Sequence, residues 1–380
     1  MESNCRTKVL QICAGGPGVG GVERFLIEHY KRINDMGIQF DFVFCTQNSM
    51  KSVQNKPLFQ HSEFYELGLA PGGFGIKQYI KLKTKIKQLL KKKDYGIVHI
   101  NTGNISIHYT VLKALFESGV PVRISHSHSA PRCSNFLKNI IYHFARIRIR
   151  NYSTHCFACS KAAGERVFGR HHKFEILPNA IDCELFRFNR EIRTELRNEN
   201  KTMESTEVYG FVARLDEVKN PIFAIDVFNE IIKVNTNAEL WMIGEGSLEQ
   251  QVSKKIEELG LYRKVKCFGF RTDINKFMSA MDYLFMPSLH EGLSVVAVEA
   301  QAADLMIFAS DSISFEHKLT DKVYFLSLEK GSSYWGKFIE KHKNSVRKDT
   351  SRILQEKGYE INSAAKKLGG FYQNIMSQSK

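Results

Sequence analysis

Residues 283–303 read YLFMPSLHEGLSVVAVEAQAA, and this stretch passes from an apolar run through a polar loop into a helical pattern. Tyr283–Met286 is short, apolar and followed by a proline, which is typical of a buried strand. Ser294 stands where it can cap a helix over Val295–Ala303. A strand followed by a loop and a helix is the repeating unit of a parallel sheet covered by helices.

The same alternation recurs along most of the chain. In the first half the predicted strands are Lys8–Ala14, Phe40–Cys45, Ile97–Ile100 and Val122–Ser125, and the predicted helices are Val22–Asn34, 76–93, 104–118 and 135–150. In the second half the further predicted strands are Val208–Ala213, Glu239–Ile243, Val265–Phe270 and Met306–Ser310, with helices over 221–234 and 247–259. Residues 187–206 are strongly polar without an apolar period, which predicts a surface segment.

The length and composition indicate a globular protein of two domains. A chain of 380 residues exceeds what one core usually holds. We place the boundary at Ile176–Ala180, giving domains over 1–177 and 178–359. No apolar run reaches the roughly 18 to 20 residues of a membrane span, and the N-terminus has no signal-peptide pattern, so a cytoplasmic location is expected.

The eight cysteines are scattered, and Cys156–Cys159 is the only C-x-x-C pattern. A zinc site of the usual kind would need a second pair at matching spacing, and the sequence has none. Free thiols in a reducing compartment are the favoured interpretation, with a redox role as the alternative.

The net charge of +14 is concentrated in the first half of the chain. Residues 1–175 hold 26 Lys and Arg against 11 Asp and Glu. Lysines and apolar residues interleave over Lys77–Lys93, which resembles a basic amphipathic helix suited to an anionic lipid surface. A helix that covers the sheet and turns its lysines to solvent is the alternative. No known nucleic-acid-binding motif is present.

A glycine-rich loop over Gly15–Gly21 follows the first predicted strand and precedes a helix. Glycines let a ligand approach the backbone N–H groups, and a helix start attracts anions. The pattern also matches the dinucleotide fingerprint, but the second strand ends at Phe44-Cys45-Thr46-Gln47 without the acid that such a site uses. This argues against a nicotinamide-dependent oxidoreductase and leaves a plain turn as the alternative.

Two segments of the second half combine groups for phosphates and for hydroxyls. Arg214 and Lys219 follow a strand and precede a helix, where two cations suit a diphosphate, although a solvated charged loop has the same composition. Glu291 and Glu299 flank a helix start whose N–H groups attract anions. Carboxylates accept bonds from hydroxyls, so a sugar nucleotide fits this mixture.

His126-Ser127-His128 directly follows the predicted strand Val122–Ser125. Parallel α/β sheets bind ligands beyond the carboxyl ends of their strands, so a ligand contact and a structural role are about equally favoured. No Asp-x-Asp motif occurs, which argues against a metal-bound diphosphate, and no metal site is expected.

Taken in this order, the motifs resemble those of the family 4 glycosyltransferases of the GT-B fold. The resemblance rests on Gly20-Gly21-Val22-Glu23, on Arg214 with Lys219, and on Glu291-Gly292-Leu293 leading to Glu299. It covers most of the chain and is closest to bacterial enzymes of exopolysaccharide or capsule synthesis. It implies an α/β fold of two Rossmann-like doubly wound domains that face a central cleft, with residues 360–380 packing back on the first.

The resemblance implies roles for residues at the phosphates and the transferred sugar. Arg214 and Lys219 would neutralise the donor diphosphate. Glu291, with the backbone of Gly292 and Leu293, would bind the hydroxyls of the sugar.

Further residues are implied at the nucleoside and in the first domain. Ser294 would belong to the substrate-binding helix start, Glu299 would bond the ribose hydroxyls, and Gly269-Phe270-Arg271 would meet the base. Gly20 and Gly21 would let the donor or acceptor approach. His126 matches the family histidine near the transferred sugar better than His128 does, so His126 and Glu291 are the catalytic candidates.

The implied activity is a retaining, metal-independent hexosyltransferase without a cofactor. It would use a nucleotide-sugar, with UDP preferred, and a glycan or polyprenyl-linked acceptor of cell-surface polysaccharide synthesis, at the inner face of the plasma membrane. The alternative is a degenerate protein that binds a nucleotide or lipid without catalysis.

The chain departs from the family pattern at two places. The family usually continues Glu-Ala-x-Ala-x-Gly-Leu-Pro, whereas this chain reads Glu299-Ala300-Gln301-Ala302-Ala303-Asp304-Leu305-Met306. The missing glycine and proline are expected to reshape the loop after the helix. His128-Ser129 also stands where close relatives often have His-Asn.

Overall fold

A computed structural model describes residues 7–13, 21–46, 57–69, 75–128, 136–343 and 346–378. The chain divides into two compact units, which we call unit 1 (Met1–Ala180 with Ile361–Lys380) and unit 2 (Ile181–Glu360). The boundary lies within a few residues of the one placed at 177/178 by the sequence, and the C-terminal residues belong to unit 1.

Unit 1 alternates strands and helices. Its elements in chain order are β1 (Thr7–Cys13), α1 (Gly21–Ile33), β2 (Ile38–Thr46), β3 (Phe64–Leu69), α2 (Ile76–Lys92), β4 (Ile97–Thr102), α3 (Ile105–Glu117), β5 (Val122–Ser127), α4 (Phe136–Tyr152), β6 (His155–Ala158), α5 (Lys161–Phe168), β7 (Glu175–Ile176) and the C-terminal helix α14 (Ile361–Gln378).

In its described part, unit 1 has a sheet of seven parallel strands in the order β3-β2-β1-β4-β5-β6-β7. Val9 of β1 pairs with Phe40 on one side and with Ile97 on the other. The order reverses between β1 and β4, and such a switch point opens a crevice at the carboxyl ends of the strands. His126, near the end of β5, and His128, directly after this strand, lie at this edge.

Helix α14 contributes to the hydrophobic core of unit 1. Its side chains Ala365, Leu368 and Tyr372 are buried with residues of α1 and β2. A Cβ at Gly369 would lie 2.5 Å from Met36 Sδ, so this glycine permits a close approach. Burial of large apolar side chains, each worth about 1.5–3 kcal/mol, therefore fastens the end of the chain to unit 1.

Unit 2 repeats the alternation. Its elements in chain order are α6 (Cys183–Phe186), α7 (Arg190–Glu199), β8 (Glu207–Val212), α8 (Pro221–Ile232), β9 (Ala238–Ile243), α9 (Glu249–Glu258), β10 (Val265–Cys267), α10 (Ile274–Ala280), β11 (Tyr283–Met286), α11 (Val295–Ala302), β12 (Met306–Ser310), β13 (Val323–Leu326), α12 (Gly331–His342) and α13 (Ser351–Glu356).

Within the described part of unit 2, six parallel strands follow the order β10-β9-β8-β11-β12-β13. This is the doubly wound order 3-2-1-4-5-6, with its switch point between β8 and β11. Strands β11 and β12 are buried throughout, as expected of a parallel sheet with both faces covered. The α/β fold of two Rossmann-like units predicted from the sequence is confirmed.

Most residues of 187–206 are exposed, as predicted for a surface segment, but the segment also contains helix α7, which has a buried face. Arg193 and Arg197 lie one turn apart on its buried face. Their guanidinium groups pair with Asp282 at 2.9 and 2.7 Å, and the two arginine side chains are only 10% and 1% exposed. The helix packs through charged side chains, which a search for apolar periodicity does not detect.

Candidate functional site

The loops after β8 and β11 meet at the switch point of unit 2. The backbone N–H of Leu289 donates to Val218 O at 2.8 Å, and Asn220 Nδ2 donates to Pro287 O at 3.3 Å. The strands that precede the loops are neighbours in the sheet. The two segments that the sequence singled out for phosphates and for a sugar are therefore held against each other.

Lys219 and Glu291 form an ion pair between these loops. The Lys219 ammonium donates to Glu291 Oε1, and the Ser288 hydroxyl donates to the same oxygen at 3.1 Å. The side chains are 20% and 10% exposed. A cation for a phosphate and an acceptor for a hydroxyl thus stand side by side, close enough to the surface to exchange partners with a ligand.

The start of α11 is held by a histidine that the sequence did not indicate. Ser294 occupies the predicted cap position, but its hydroxyl makes no capping bond, so the predicted cap is wrong in that respect. Its backbone N–H instead donates to His317 Nε2 at 2.9 Å, while His317 Nδ1 lies 2.7 Å from Ser314 O. Burial lowers the pKa of His317, so the neutral tautomer with its proton on Nδ1 fits both contacts.

Helix α11 carries two fully buried polar residues. Glu299 is 0% exposed. Gln301 donates to His317 O at 2.8 Å and accepts from the backbone N–H groups of Leu319 and Thr320, both at 2.8 Å. Gln301 thereby fixes the segment that presents His317 to the helix start. Its role was not visible in the sequence, because a glutamine inside an apolar helix has no diagnostic spacing.

Arg214 and Phe270 are the strongly exposed side chains among the predicted donor-binding residues. Arg214 has a side chain 77% exposed and pairs with Asp216 at 3.0 Å. Phe270 follows β10 and is 64% exposed, and its backbone N–H donates to Glu245 Oε1 at 3.1 Å. An exposed cation and an exposed aromatic ring therefore lie on loops at the same sheet edge as Lys219.

A second glycine loop, missed in the sequence, supports the segment that carries Arg214. A Cβ at Gly244 would lie 1.9 Å from Ala213 O, and one at Gly246 would lie 2.4 Å from Leu215 O. Leu215 N–H also donates to Glu245 O at 3.0 Å. Only glycine permits this backbone contact without displacement. The signal was the Gly-x-Gly pattern directly after a strand.

The departure at Asp304 preserves the turn after α11. Asp304 has φ 52°, the left-handed conformation that glycine adopts most easily. Leu305 N–H donates to Ala300 O at 2.8 Å, and Lys322 pairs with the Asp304 carboxylate at 2.6 Å. Aspartate tolerates this conformation and gains an ion pair, so the missing glycine is accommodated at this position.

In unit 1 the two histidines lie at the carboxyl end of β5. His126 is 0% exposed, with its ring centroid 4.0 Å from that of His128 and 5.1 Å from that of Phe25. His128 is 7% exposed, and its Nε2 lies 3.0 Å from Asn101 Oδ1. Burial holds the pKa of His128 at about 3 and that of His126 well below its usual range, so both rings are neutral near pH 7.

Of the two predicted substrate-binding glycines of unit 1, Gly21 lies within the described residues. Gly21 is the first residue of α1 and is exposed. Gly20 lies outside the described residues.

The described ranges contain neither a candidate metal cluster nor a helix suited to span a membrane. No cluster of three or more His, Cys, Asp or Glu side chains there is arranged to hold a metal ion. None of the helices in those ranges combines the length and the apolar character needed to cross a bilayer.

Family comparisons agree with the two units. Residues 19–185 match the model of Glycosyltransferase Family 4, and residues 192–329 match that of Glycosyl transferases group 1. A protein described as "Putative glycosyltransferase EpsF", from Bacillus subtilis strain 168, is 28% identical over 89% of this chain and 88% of its own length.

Another relative and a solved structure extend the comparison. The UDP-Gal:alpha-D-GlcNAc-diphosphoundecaprenol alpha-1,3-galactosyltransferase of Escherichia coli is 24% identical over 61% of this chain and 62% of its own. The crystal structure of Anabaena Alr3699/HepE in complex with UDP superposes with a TM-score of 0.71 at 19% identity, over 98% of this chain and 99% of that one. The fold, the order of motifs and these matches together show that the chain belongs to the family 4 glycosyltransferases of the GT-B fold.

Proposed function

We propose that the protein is a retaining transferase that moves a hexose from a UDP-sugar to a glycan or polyprenyl-linked acceptor in cell-surface polysaccharide synthesis. The observation that carries this proposal is the Lys219–Glu291 pair at the switch point of unit 2. When a donor enters, the ammonium of Lys219 exchanges the carboxylate for a phosphate oxygen. Glu291 is then released to accept bonds from the hydroxyls of the sugar.

The remaining donor contacts are assigned to the same sheet edge. Arg214 adds the second countercharge. The backbone N–H groups of Gly292 and Leu293, at the start of α11, are assigned to the donor. The N–H of Ser294 is not, because it already donates to His317 Nε2. Phe270 offers an exposed ring to the base. Glu299, which is 0% exposed, is assigned to the ribose hydroxyls.

In the transfer itself, the acceptor hydroxyl oxygen bonds to the anomeric carbon as the bond from that carbon to the diphosphate breaks. The hydroxyl proton passes to the departing phosphate oxygen on the same face, which retains the anomeric configuration. We assign the histidine pair of unit 1 to the transferred sugar. The ligand contact that the resemblance gave to His126 is moved to His128, because His126 is 0% exposed and His128 is 7% exposed, with the two ring centroids 4.0 Å apart. The cations Arg214 and Lys219 take the place of a metal ion at the diphosphate.

UDP and a lipid-linked acceptor are the favoured substrates because of the similar proteins. The Anabaena structure contains UDP, and a further structure of that protein contains UDP-glucose. The Escherichia coli relative is named for a UDP-galactose donor and a diphosphoundecaprenol acceptor. A lipid-linked acceptor would lie in a membrane, and the net positive charge of the first half of the chain suits contact with an anionic membrane surface.

We assign the membrane contact to the exposed faces of α2 and α4. Ile76 and Ile80 of α2 are 81% and 62% exposed, and Ile141 and Phe144 of α4 are 62% and 63% exposed. The lysines of the proposed face are exposed beside them, at Lys77 and Lys81 of α2. Apolar side chains next to lysines fit the boundary of an anionic bilayer, which supports the proposed location at the inner face of the plasma membrane.

The donor site is tested by a thermal-shift panel of UDP-, GDP- and ADP-sugars, followed by a transfer assay with the stabilising donor. Lys219→Met and Glu291→Gln should abolish transfer. Lys343→Met is the matched control, because its side chain is also 20% exposed and pairs with Glu207 at the opposite end of β8. Full activity in both site variants would refute the assignment, and UDP binding without transfer of any sugar would favour the non-catalytic alternative.

Metal independence and membrane binding each have a direct test. Transfer should be unchanged in excess EDTA, and loss of activity restored by a divalent ion would refute the assignment to Arg214 and Lys219. In liposome flotation, Lys77→Glu with Lys81→Glu should weaken binding to anionic vesicles, whereas Lys276→Glu with Lys357→Glu, exposed lysines of unit 2, should not. Equal behaviour with neutral and anionic vesicles would exclude an electrostatic contact.

A further inference from the structure

A buried chain of hydrogen bonds runs through unit 1 from helix α14 to the carboxyl end of β5. The Tyr372 hydroxyl lies 2.6 Å from His99 Nδ1 and accepts from Gln11 Nε2 at 3.2 Å. Gln11 Oε1 accepts from Asn101 Nδ2 at 2.9 Å, and Asn101 Oδ1 lies 3.0 Å from His128 Nε2. We call these five residues the polar chain.

The polar chain is enclosed in the core of the sheet. Gln11 and His99 are paired across β1 and β4, and every member is 0% exposed apart from His128 at 7%. Tyr372 enters from the helix side, where its ring packs edge-on against Phe40. Because these groups are buried, their bonds to one another have few alternatives, and a change at one end is felt along the chain.

The direction of the bonds is fixed at one point by the backbone. Asn101 Nδ2 also lies 3.3 Å from the carbonyl oxygen of His99, which can only accept. This contact and the shorter bond from Asn101 Nδ2 to Gln11 Oε1 together set the orientation of the Asn101 amide, so Asn101 Oδ1 faces His128 and Nε2 of His128 carries the proton. At the other end Gln11 donates to Tyr372, so the tyrosine hydroxyl donates to His99 Nδ1.

The same direction determines which nitrogen of His128 can accept a bond. Burial lowers the pKa of His128 to about 3, so the ring is neutral near pH 7 and has one donor and one acceptor. With the proton on Nε2, the lone pair is on Nδ1. Nδ1 lies 3.3 Å from Asn179 Oδ1, an oxygen that cannot donate to it, so a ligand hydroxyl that displaced this contact would give Nδ1 a hydrogen-bond donor.

We propose that Tyr372 is a positioning residue, whose hydroxyl fixes the tautomer and ring orientation of His128 through Gln11 and Asn101. The C-terminal helix thereby sets Nδ1 of His128 as the acceptor for a sugar hydroxyl. This inference rests on the proposed function, in which His128 serves the transferred sugar. If the polar chain only satisfied buried groups, Tyr372 would affect stability and leave the histidine unchanged.

Tyr372→Phe tests the proposal, because it keeps the ring and removes the hydroxyl. The matched control is Tyr30→Phe, a 0% exposed tyrosine of the same core whose hydroxyl meets Ser62 at 3.1 Å. We expect Tyr372→Phe to lower kcat roughly ten- to a hundredfold with the donor KM within about twofold, since small misplacements of a reacting group cost this much. Tyr30→Phe should leave kcat within about twofold.

A second comparison asks whether Tyr372 acts through His128. In a His128→Ala background, Tyr372→Phe should cause no further loss of kcat, because the residue it positions is gone. Equal losses in the two tyrosine variants, or losses that multiply in the double variant, would overturn the proposal.

Histidine NMR separates this proposal from the proposed function. In protein labelled with 15N-histidine, with His128 assigned by the resonance missing in His128→Gln, the wild type should show one neutral form protonated on Nε2. Tyr372→Phe should give a mixture of tautomers, and Tyr30→Phe should not. A tautomer that shifts in a protein without transferase activity would refute the function and support the positioning. An unchanged tautomer in an active enzyme would refute the positioning alone.

Discussion

The ammonium of Lys219, on the loop after β8, donates to the carboxylate of Glu291, on the loop after β11. The two residues are 72 positions apart in the sequence. The order of the sheet brings them together, because β8 and β11 are neighbours at the switch point. The pair therefore joins two motifs that had to be interpreted separately in the sequence.

Breaking this pair from one side should cost more stability than removing both charges. Lys219→Met or Glu291→Gln leaves a largely buried partner without its counterpart, at a cost of roughly 1–3 kcal/mol in the free energy of unfolding. The double variant should recover part of the loss. Urea unfolding of the four proteins gives the coupling. In the same double-mutant cycle, the exposed pair of Lys233 and Glu230 should show almost no coupling energy. Equal coupling energies for the two pairs would contradict this prediction.

The fold and the contents of the donor site were largely predictable from the sequence, because both depend on local patterns. The strands β11 and β12 were predicted at their observed bounds. A strand followed by polar loop residues and a helix start leaves its signature within about twenty residues. Lys219 and Glu291 were found because each stands at such a loop.

What could not be predicted depends on contacts between distant segments. Helix α7 is buried through Arg193 and Arg197, whose partner Asp282 lies more than eighty residues away. His317 reaches the start of α11 from another loop, and the polar chain joins four separate elements. Polar burial has no periodic signal, because its energetics are set by a partner that the local sequence does not contain.

At position 304 a glycine variant should be more stable than an alanine variant, the reverse of the usual order in a helix or strand. At φ 52° an alanine is strained, whereas glycine is not, so Asp304→Ala should be less stable than Asp304→Gly by about 1 kcal/mol. Both variants lose the pair with Lys322, whose side chain is 15% exposed, and should be less stable than the wild type. Thermal unfolding measures the order. An alanine variant at least as stable as the glycine variant would show that the turn does not need this conformation.

The buried histidines of unit 1 predict a loss of stability in mild acid. Unfolded histidine titrates near pH 6.5, while burial holds the pKa of His29 at about 4 and those of His108 and His128 at about 3. Below pH 6.5 the unfolded state binds protons that the native state does not, so the free energy of unfolding falls as the pH falls, until the native pKa values are reached. Each group contributes a slope of up to about 1.4 kcal/mol per pH unit.

Urea unfolding between pH 7.5 and 4.5 measures this slope for the transition of unit 1. His108→Gln should reduce the slope by about 1.4 kcal/mol per pH unit, because it removes one of the buried histidines whose pKa is lowered in the native state. His171→Gln, at an exposed position, should leave the slope unchanged. A pH-independent free energy of unfolding over this range would contradict the burial of neutral histidines.

Gly246→Ala should weaken donor binding, although Gly246 is not among the residues assigned to contact the donor. A Cβ there would lie 2.4 Å from Leu215 O and 2.9 Å from Leu215 N, and both are backbone atoms that cannot move aside alone. Gly246→Ala must therefore displace the segment that carries Arg214, which we expect to raise the donor KM roughly tenfold, equivalent to about 1.4 kcal/mol. Gly96→Ala is the control, since a Cβ at Gly96 meets nothing within 4 Å. The prediction is tested by measuring the donor KM and the melting temperature of both variants. A wild-type KM in a folded Gly246→Ala protein would show that the position of Arg214 does not govern donor binding.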